Sequence, residues 1–337
     1  SCVANSLEGP IIRPTPRNIL VTGGAGFIGS HFINHMMGLF PEVRVINLDV
    51  MYHCADVLRI AEQFRTSPRY RFIRGDICSV DLVNHILAEY RIDSVVHFAA
   101  QTHVQLSFDN SQCFTRDNIM GTHTLLECCR LLPVGQLQCF IHVSTDEVYG
   151  ESLLTQKTEQ SILCPTNPYA ATKAGAELLA QAYTHSYQMP IIITRGNNVY
   201  GPNQYPEKLI PKFIELLRTG QRLPIEGSGM ARRCFLHVND VVRAFELVLC
   251  QGVIGEIYNI GSDPEQEVSV LEVANLLIQK MCGPVEYDTC VDYVVDRPFN
   301  DKRYYISNAK IKALGWDIRV KDFSTGLDEL VVAAKCV

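Results

Sequence analysis

Tyr169 and Lys173 stand four residues apart in the segment NPYAATKAGAE, where a helix is expected, so one helical face would carry a phenol and an ammonium one turn apart. A cation beside the phenol favours phenolate, as would a positive nicotinamide ring, and both would bring Tyr169 towards service as a base for a hydroxyl proton. Such a YxxxK pair also arises by chance on amphipathic helices, so its company decides its meaning. The strand expected over residues 138–144 runs into Thr145, Asp146 and Glu147, three polar side chains at the carboxyl edge of a sheet. Two adjacent carboxylates can be merely solvated or can serve the following turn. Beside an oxidising cofactor they would have separate tasks, one accepting an acidified C–H proton and the other protonating a departing hydroxyl.

That cofactor is signalled upstream. Gly23, Gly26 and Gly29 form GxxGxxG between an apolar strand at 18–22 and a helix that opens with Phe27 and Ile28. Missing side chains there permit a tight turn and close approach of a pyrophosphate to the helix N-terminus. Asp49 closes the next strand, twenty residues after Gly29, where its carboxylate can accept both ribose hydroxyls and repel a 2'-phosphate. The expected cofactor is therefore NAD rather than NADP. Asp76, followed by Ile77, ends the third strand and is placed either to accept from an adenine amine or simply to form a turn. Ala99 and Ala100 are small enough to let a cofactor pass over the fourth strand.

These residues need a frame that gathers several strand ends. Strand-length apolar runs at 18–22, 43–49, up to Gly75, 94–98, 138–144 and 190–195 alternate with helical patterns at 27–39, 82–90, 121–131 and 168–187. This alternation predicts an α/β fold, a doubly wound parallel Rossmann sheet with ligands outside the carboxyl ends of its strands. Beyond Gly196 the pattern gives way to Gly and Pro punctuation at Gly201-Pro202, 227–229 and Arg297-Pro298, which reads as a smaller mixed α/β lobe. The expected division is a flexible leader at 1–17, an NAD-binding domain at 18–195 and a substrate-binding lobe at 196–337, whose elements can interleave.

With 337 residues, 47% of them hydrophobic, the chain can bury a large core. A formal charge of -6 supplies no global basic field for nucleic acid or an acidic membrane. The apolar runs fall far short of the ~20 residues of a membrane-spanning helix. Thirteen cysteines are scattered, with no CxxC pair or Cys/His ligand spacing. They read as mostly buried small hydrophobes in a reducing, cytoplasmic setting, with no metal site.

From about Asn18 to beyond Trp316 the sequence resembles the nucleotide-glucose 4,6-dehydratases of the extended short-chain dehydrogenase/reductase type. The likeness lies in TGGAGFIGSH, HFAAQTHV, VSTDEVYG, NPYAATKAGAE, NNVYGPNQYPEKLIPKF and RPFNDKRY. It is greater to the eukaryotic and viral-type UDP-glucose enzymes, including the first domain of plant rhamnose synthases, than to the bacterial dTDP-glucose enzymes. The resemblance implies an NAD-dependent hydro-lyase that turns UDP-glucose into UDP-4-keto-6-deoxy-glucose. It gives Thr145 a hydrogen bond to the C4 oxygen, Asp146 the acid at C6, Glu147 the base at C5, and Tyr169 with Lys173 the C4 oxidation. It makes Asn198, Lys208 and Asn259 substrate contacts, and Arg233 and Arg297 diphosphate or nucleotide contacts, for which a planar guanidinium is suited. It also implies a homodimer built on the long helices near Leu125 and Leu179.

Two positions depart from the bacterial pattern. Gln105 stands where those relatives carry aspartate, and Glu226 where they carry tyrosine near the base pocket. Three other readings share the cofactor motif: a dTDP-glucose 4,6-dehydratase, a nucleotide-sugar epimerase or decarboxylase, and a non-catalytic NAD-binding scaffold. Asp146 and Glu147 separate the dehydratases from the others.

Overall fold

The computed structural model describes residue 13, residues 15–296 and residues 301–335. Strands β1 (Asn18–Thr22), β2 (Arg44–Asp49), β3 (Tyr70–Arg74), β4 (Ser94–His97), β5 (Cys139–Thr145) and β6 (Ile191–Gly196) succeed one another with helical crossovers. The short strands β7 (Asn198–Tyr200), β8 (Leu223–Glu226) and β9 (Arg232–His237) follow, and β10 (Ile257–Ile260) then returns to the first six. Together β10-β6-β5-β4-β1-β2-β3 make a seven-stranded sheet in that order, and every pair in it is parallel. This is the doubly wound α/β fold that the sequence predicts.

Alternation along each strand builds two cores. Ile19 and Val21 pack with Phe32, Ile33 and Met36 of the helix Phe27–Leu39 and with Val241, Phe245 and Val248 of the helix Val238–Gln251. Leu20 faces the other way, into a cluster with Val83, Ile86, Leu125, Leu126 and Ala180 from the helices Val80–Glu89, Gly121–Arg130 and Pro168–Tyr187. Because both faces are covered, the inner strands read as largely continuous apolar runs rather than alternating ones, while the edge strand β3, YRFIR, does not. Truncating a fully buried residue such as Leu20 to alanine would cost ~2–5 kcal/mol, through lost transfer energy and the cavity left behind.

The helix Pro168–Tyr187 begins where its sequence says it should. The Asn167 side chain accepts from the Ala170 amide at 2.8 Å, and Pro168 takes the first helical position. The helix ends at Gln188 in the left-handed region.

The second half of the chain adds a further layer. β11 (Glu267–Ser269), β9 and β7 form a three-stranded sheet, and β12 (Val291–Val294) pairs with β8. Ile210, Phe213, Leu223, Ile225, Phe235 and Leu277 centre its own core. β10 and the helix Val238–Gln251 nevertheless belong to the large sheet and its covering layer. Within the expected leader, Arg13 donates to the carbonyls of Val248 and Leu249 at 2.8 Å each, tying it to the end of that helix. The cysteines differ from expectation, since only Cys128, Cys129, Cys139 and Cys234 of the described ones are buried. Among the described residues no helix is long and apolar enough to cross a membrane.

Candidate active site

The strand order reverses between β1 and β4, and the turns that follow these two strands open a cleft. Gly23 has φ +70°, and a Cβ there would lie 2.7 Å from the Ala99 nitrogen. A Cβ on Gly29 would lie 2.4 Å from the Gly23 carbonyl oxygen. These two glycines let the backbone close on itself. Gly26 differs, since a Cβ there would meet only the Gly23 oxygen within 4 Å. It lines the cleft, precedes the helix Phe27–Leu39, and brings no side chain to that helix's first amides. An uncapped helix start facing a cavity is a ready anion site.

Asp49 ends β2 at the same edge, its two oxygens held by the amides of Ala25 (3.0 Å) and Met51 (2.8 Å). Burial pushes its pKa up. Phe27, Ile28, Asp76, Ile77, Ala99 and Ala100 line the adjoining wall. Asp76 is already ion-paired with Arg116 and accepts from the Cys78 amide at 2.8 Å, so its carboxylate is shared rather than reserved for an adenine. The uncapped helix start, the fixed carboxylate and the small side chains fit a dinucleotide.

The same cleft, about 960 Å³ in volume, continues past the end of β5. Small-molecule sites span roughly 300–1,000 Å³, and this cleft lies at the upper end of that range. Thr145 closes the strand and Asp146 opens a short 3-10 turn, Asp146–Tyr149. Thr145, Glu147, Tyr169 and Lys173 line the cleft. Asp146 lies just behind them, 2% exposed, with one oxygen receiving the Asn197 amide at 2.6 Å and the other facing the Thr145 hydroxyl at 3.2 Å. Burial, and then the charge of Glu147, push its carboxyl up to about 7. Glu147 is pushed up as well, by burial, against a hydrogen bond from Asn167 at 3.0 Å.

The chain's own groups, without the nicotinamide charge on which the sequence expectation also relied, set the states of Tyr169 and Lys173. Tyr169 is pushed up, first by burial and then by Glu147, while a hydrogen bond with Thr145 works the other way. Lys173 donates to the Val143 carbonyl at 2.6 Å and is brought down to about 8 by burial, against the pull of Glu177. A lysine one turn away does not by itself outweigh the low dielectric around the phenol.

On the opposite wall, Asn198 opens β7, and Lys208 donates to the Thr102 carbonyl at 3.0 Å. Arg233 on β9 lies over the Tyr304 ring, 4.9 Å from its centroid. These three residues, with Gln105 and Glu226, line the cleft. Asn259 does not. It is fully buried in β10, where its side-chain oxygen accepts from the Tyr149 hydroxyl at 2.8 Å, behind the sheet edge. Its register opposite Arg195 turns it towards the buried Arg195–Glu177 ion pair instead. Arg297 lies outside the described residues. Among the described residues no group of three or more His, Cys, Asp or Glu could hold a metal ion.

The model of the family described as GDP-mannose 4,6 dehydratase matches residues 20–330. The chain belongs to this family. Among its family relatives is an Arabidopsis thaliana trifunctional UDP-glucose 4,6-dehydratase/UDP-4-keto-6-deoxy-D-glucose 3,5-epimerase/UDP-4-keto-L-rhamnose-reductase. It is 51% identical over 304 residues, which make up 89% of this chain and 45% of that protein. The chain thus spans less than half the length of that relative. A dTDP-D-glucose 4,6-dehydratase of Mus musculus is 48% identical over 90% of this chain and 85% of its own length. The crystal structure of a Streptomyces venezuelae dTDP-glucose 4,6-dehydratase with NAD bound superposes with a TM-score of 0.87 at 40% identity, covering 94% of this chain and 97% of that one.

For this GDP-mannose 4,6 dehydratase family member, sequence reasoning missed the groups that hold the two carboxyls. Asn167 caps the helix Pro168–Tyr187 and also donates to Glu147, and neither role was read from the sequence. Asn197 precedes Asn198 in the same motif, and nothing in the sequence says which of the two turns towards Asp146. Also missed was the loop after β2. Its Tyr52 hydroxyl donates to Asp117 at 2.9 Å, and its His53 ring lies 3.4 Å from Glu207 on the far wall.

Proposed function

We propose that this chain is an NAD-dependent nucleotide-glucose 4,6-dehydratase whose substrate is UDP-glucose and whose product is UDP-4-keto-6-deoxy-glucose. One observation carries the reading. Two carboxyls in different settings stand at the end of β5, beside Tyr169 and Lys173. C4 oxidation followed by return at C4, as in an epimerase, has no use for such a pair. Elimination across C5 and C6 needs both members. Gly23, Gly26, Gly29, Asp49, Ile77, Ala99 and Ala100 would hold NAD, which when bound takes a hydride from C4 and supplies one to C6.

Tyr169 accepts the C4 hydroxyl proton, with Thr145 hydrogen-bonded to the same oxygen and Lys173 behind the phenol. The resulting C4 ketone acidifies the neighbouring C5–H. Glu147 takes that proton while Asp146, whose carboxyl burial raises to about 7, gives one to the C6 hydroxyl as it leaves as water. Glu147 then returns a proton to C5. Arg233 and Lys208, two cations of the cleft wall, would face a diphosphate. The uridine nucleotide is favoured by the 51% likeness to the Arabidopsis protein and by Glu226 in the cleft wall. A homodimer is part of the same reading, with Leu178 and Tyr187 as the exposed apolar residues on the helix Pro168–Tyr187; Leu125 itself is core.

The test follows atoms. UDP-glucose carrying deuterium at C4 should give product with that deuterium at C6, and reaction in heavy water should place solvent deuterium at C5. Label retained at C4, or lost to free NADH, would overturn the dehydratase reading. Offering UDP-glucose, dTDP-glucose and GDP-mannose in parallel, with loss of one water followed by mass spectrometry, decides the nucleotide.

A further inference from the structure

Asp146 can act as an acid only if its proton sits on an oxygen that leads to the cleft. Its two oxygens are not equivalent. One receives the Asn197 side-chain amide at 2.6 Å, in a fully buried hydrogen bond. The other accepts from the hydroxyl of Thr145 at 3.2 Å, a donor that, unlike an amide N–H, can turn round and accept; both Thr145 and Asn197 line the cleft.

The orientation of the Asn197 amide is itself fixed. Its carbonyl oxygen accepts from the Ser262 backbone amide at 3.0 Å, a donor that cannot become an acceptor, so the NH2 group must point at Asp146. The Asn197 backbone is also held, its amide donating to the Ile260 carbonyl at 3.0 Å. An oxygen that receives an amide N–H favours the unprotonated state, which leaves the acidic proton to the oxygen on the Thr145 side.

We propose that Asn197 is a positioning residue for the elimination step, selecting the oxygen of Asp146 that carries the proton. The inference rests on reading Asp146 as the general acid. The charged and titratable groups around Asp146 are Glu147 on its own turn, Tyr169 on the long helix, and Arg233 and Cys234 on β9. Burial and Glu147 raise its pKa, while Asn197, Thr145 and Arg233 oppose them. Removing the amide therefore shifts the balance towards the protonated, weaker acid.

The test uses Asn197→Ala in the NAD-loaded enzyme. C4 oxidation does not use Asp146, so bound NADH should form at the parent rate on mixing with nucleotide-glucose, which doubles as a check on folding. Elimination should slow by ~100-fold, the scale of a misplaced reacting group, so that bound NADH accumulates. The alkaline limb of the elimination rate should move up by about one pH unit, because a neutral donor to a carboxylate is lost. Asn197→Asp keeps the shape and the Ser262 contact, and sharing one proton between two carboxyls should move the limb in the same direction.

An alkaline limb at the parent pH, or elimination at the parent rate, would overturn the inference. So would failure of both variants to form bound NADH, which would assign Asn197 to the fold. Asp146→Asn run alongside separates the two levels. If it is inactive while Asn197→Ala behaves as parent, only the Asn197 inference falls. If it turns over normally, the reading of Asp146 as the acid falls.

Discussion

Replacing Asp146 by asparagine should make this protein more stable at alkaline pH while stopping elimination. Asparagine imitates the neutral acid, since its carbonyl can accept from Asn197 and its NH2 can donate to the Thr145 hydroxyl, the two contacts Asp146 makes. The aspartate differs by having to ionise in a buried place. Its pKa rises from an ordinary 3.8 to about 7 on folding, chiefly through burial. A group raised in this way stabilises the fold fully below the unfolded value, and that contribution is lost as pH rises through the folded value. Three units correspond to roughly 4 kcal/mol, of which about 2–3 kcal/mol falls between pH 5 and pH 8. Urea unfolding of parent and variant at both pH values, with saturating NAD, measures the difference. The variant's advantage should widen by that amount on going from pH 5 to pH 8. A gap that does not change with pH, or a variant less stable than the parent at pH 8, would refute the placement of a neutral, buried acid at this position.

Glu147→Gln should slow dehydration by ~100- to 10,000-fold, the range for a positioned base, with bound NADH building up; near-parent turnover would return this carboxylate to a turn-forming role. Tyr169→Phe should leave the nicotinamide oxidised after substrate is added, as absorbance at the NADH band would report. A reduced cofactor in that variant would assign the first deprotonation elsewhere. Asp49→Ala should release NAD on dialysis and relax discrimination against NADP, because it removes the ribose acceptor and the charge opposing a 2'-phosphate; unchanged cofactor content would count against that placement.

Much of the frame was legible because its causes are local. β1, β2, β4, β5 and β6 are buried on both faces, so Ile19–Leu20–Val21 and their counterparts announce themselves as apolar runs, and the spacing of Gly23, Gly26 and Gly29 follows from a turn that must close on itself. What was not legible depends on pairing at a distance. β10 is four residues containing a tyrosine and an asparagine, lying beyond the point where the alternating pattern breaks, and only its register against β6 makes it a sheet strand. That register also takes Asn259 away from the cleft. For Tyr169 the sequence showed the cation but not the surroundings, and the burial of the phenol beside Glu147 set the direction of its shift. The two amides on Asp146 and Glu147 escaped notice because asparagine has no spacing rule that identifies such a partner.

The return of β10 bears on how the chain comes into being. A growing polypeptide that has reached Arg195 already holds the glycine turn, Asp49, both carboxyls and the Tyr169–Lys173 pair, yet β6 still has an open edge. That edge is filled only when Ile257–Ile260 has emerged, and the same strand brings Asn259 to the Tyr149 hydroxyl, which Arg195 also contacts at 2.6 Å. Unfilled apolar edges invite pairing between chains. A fragment cut after Arg195 is therefore expected to scatter light and self-associate where the full chain does not, because its sheet ends on an edge that only Ile257–Ile260 covers.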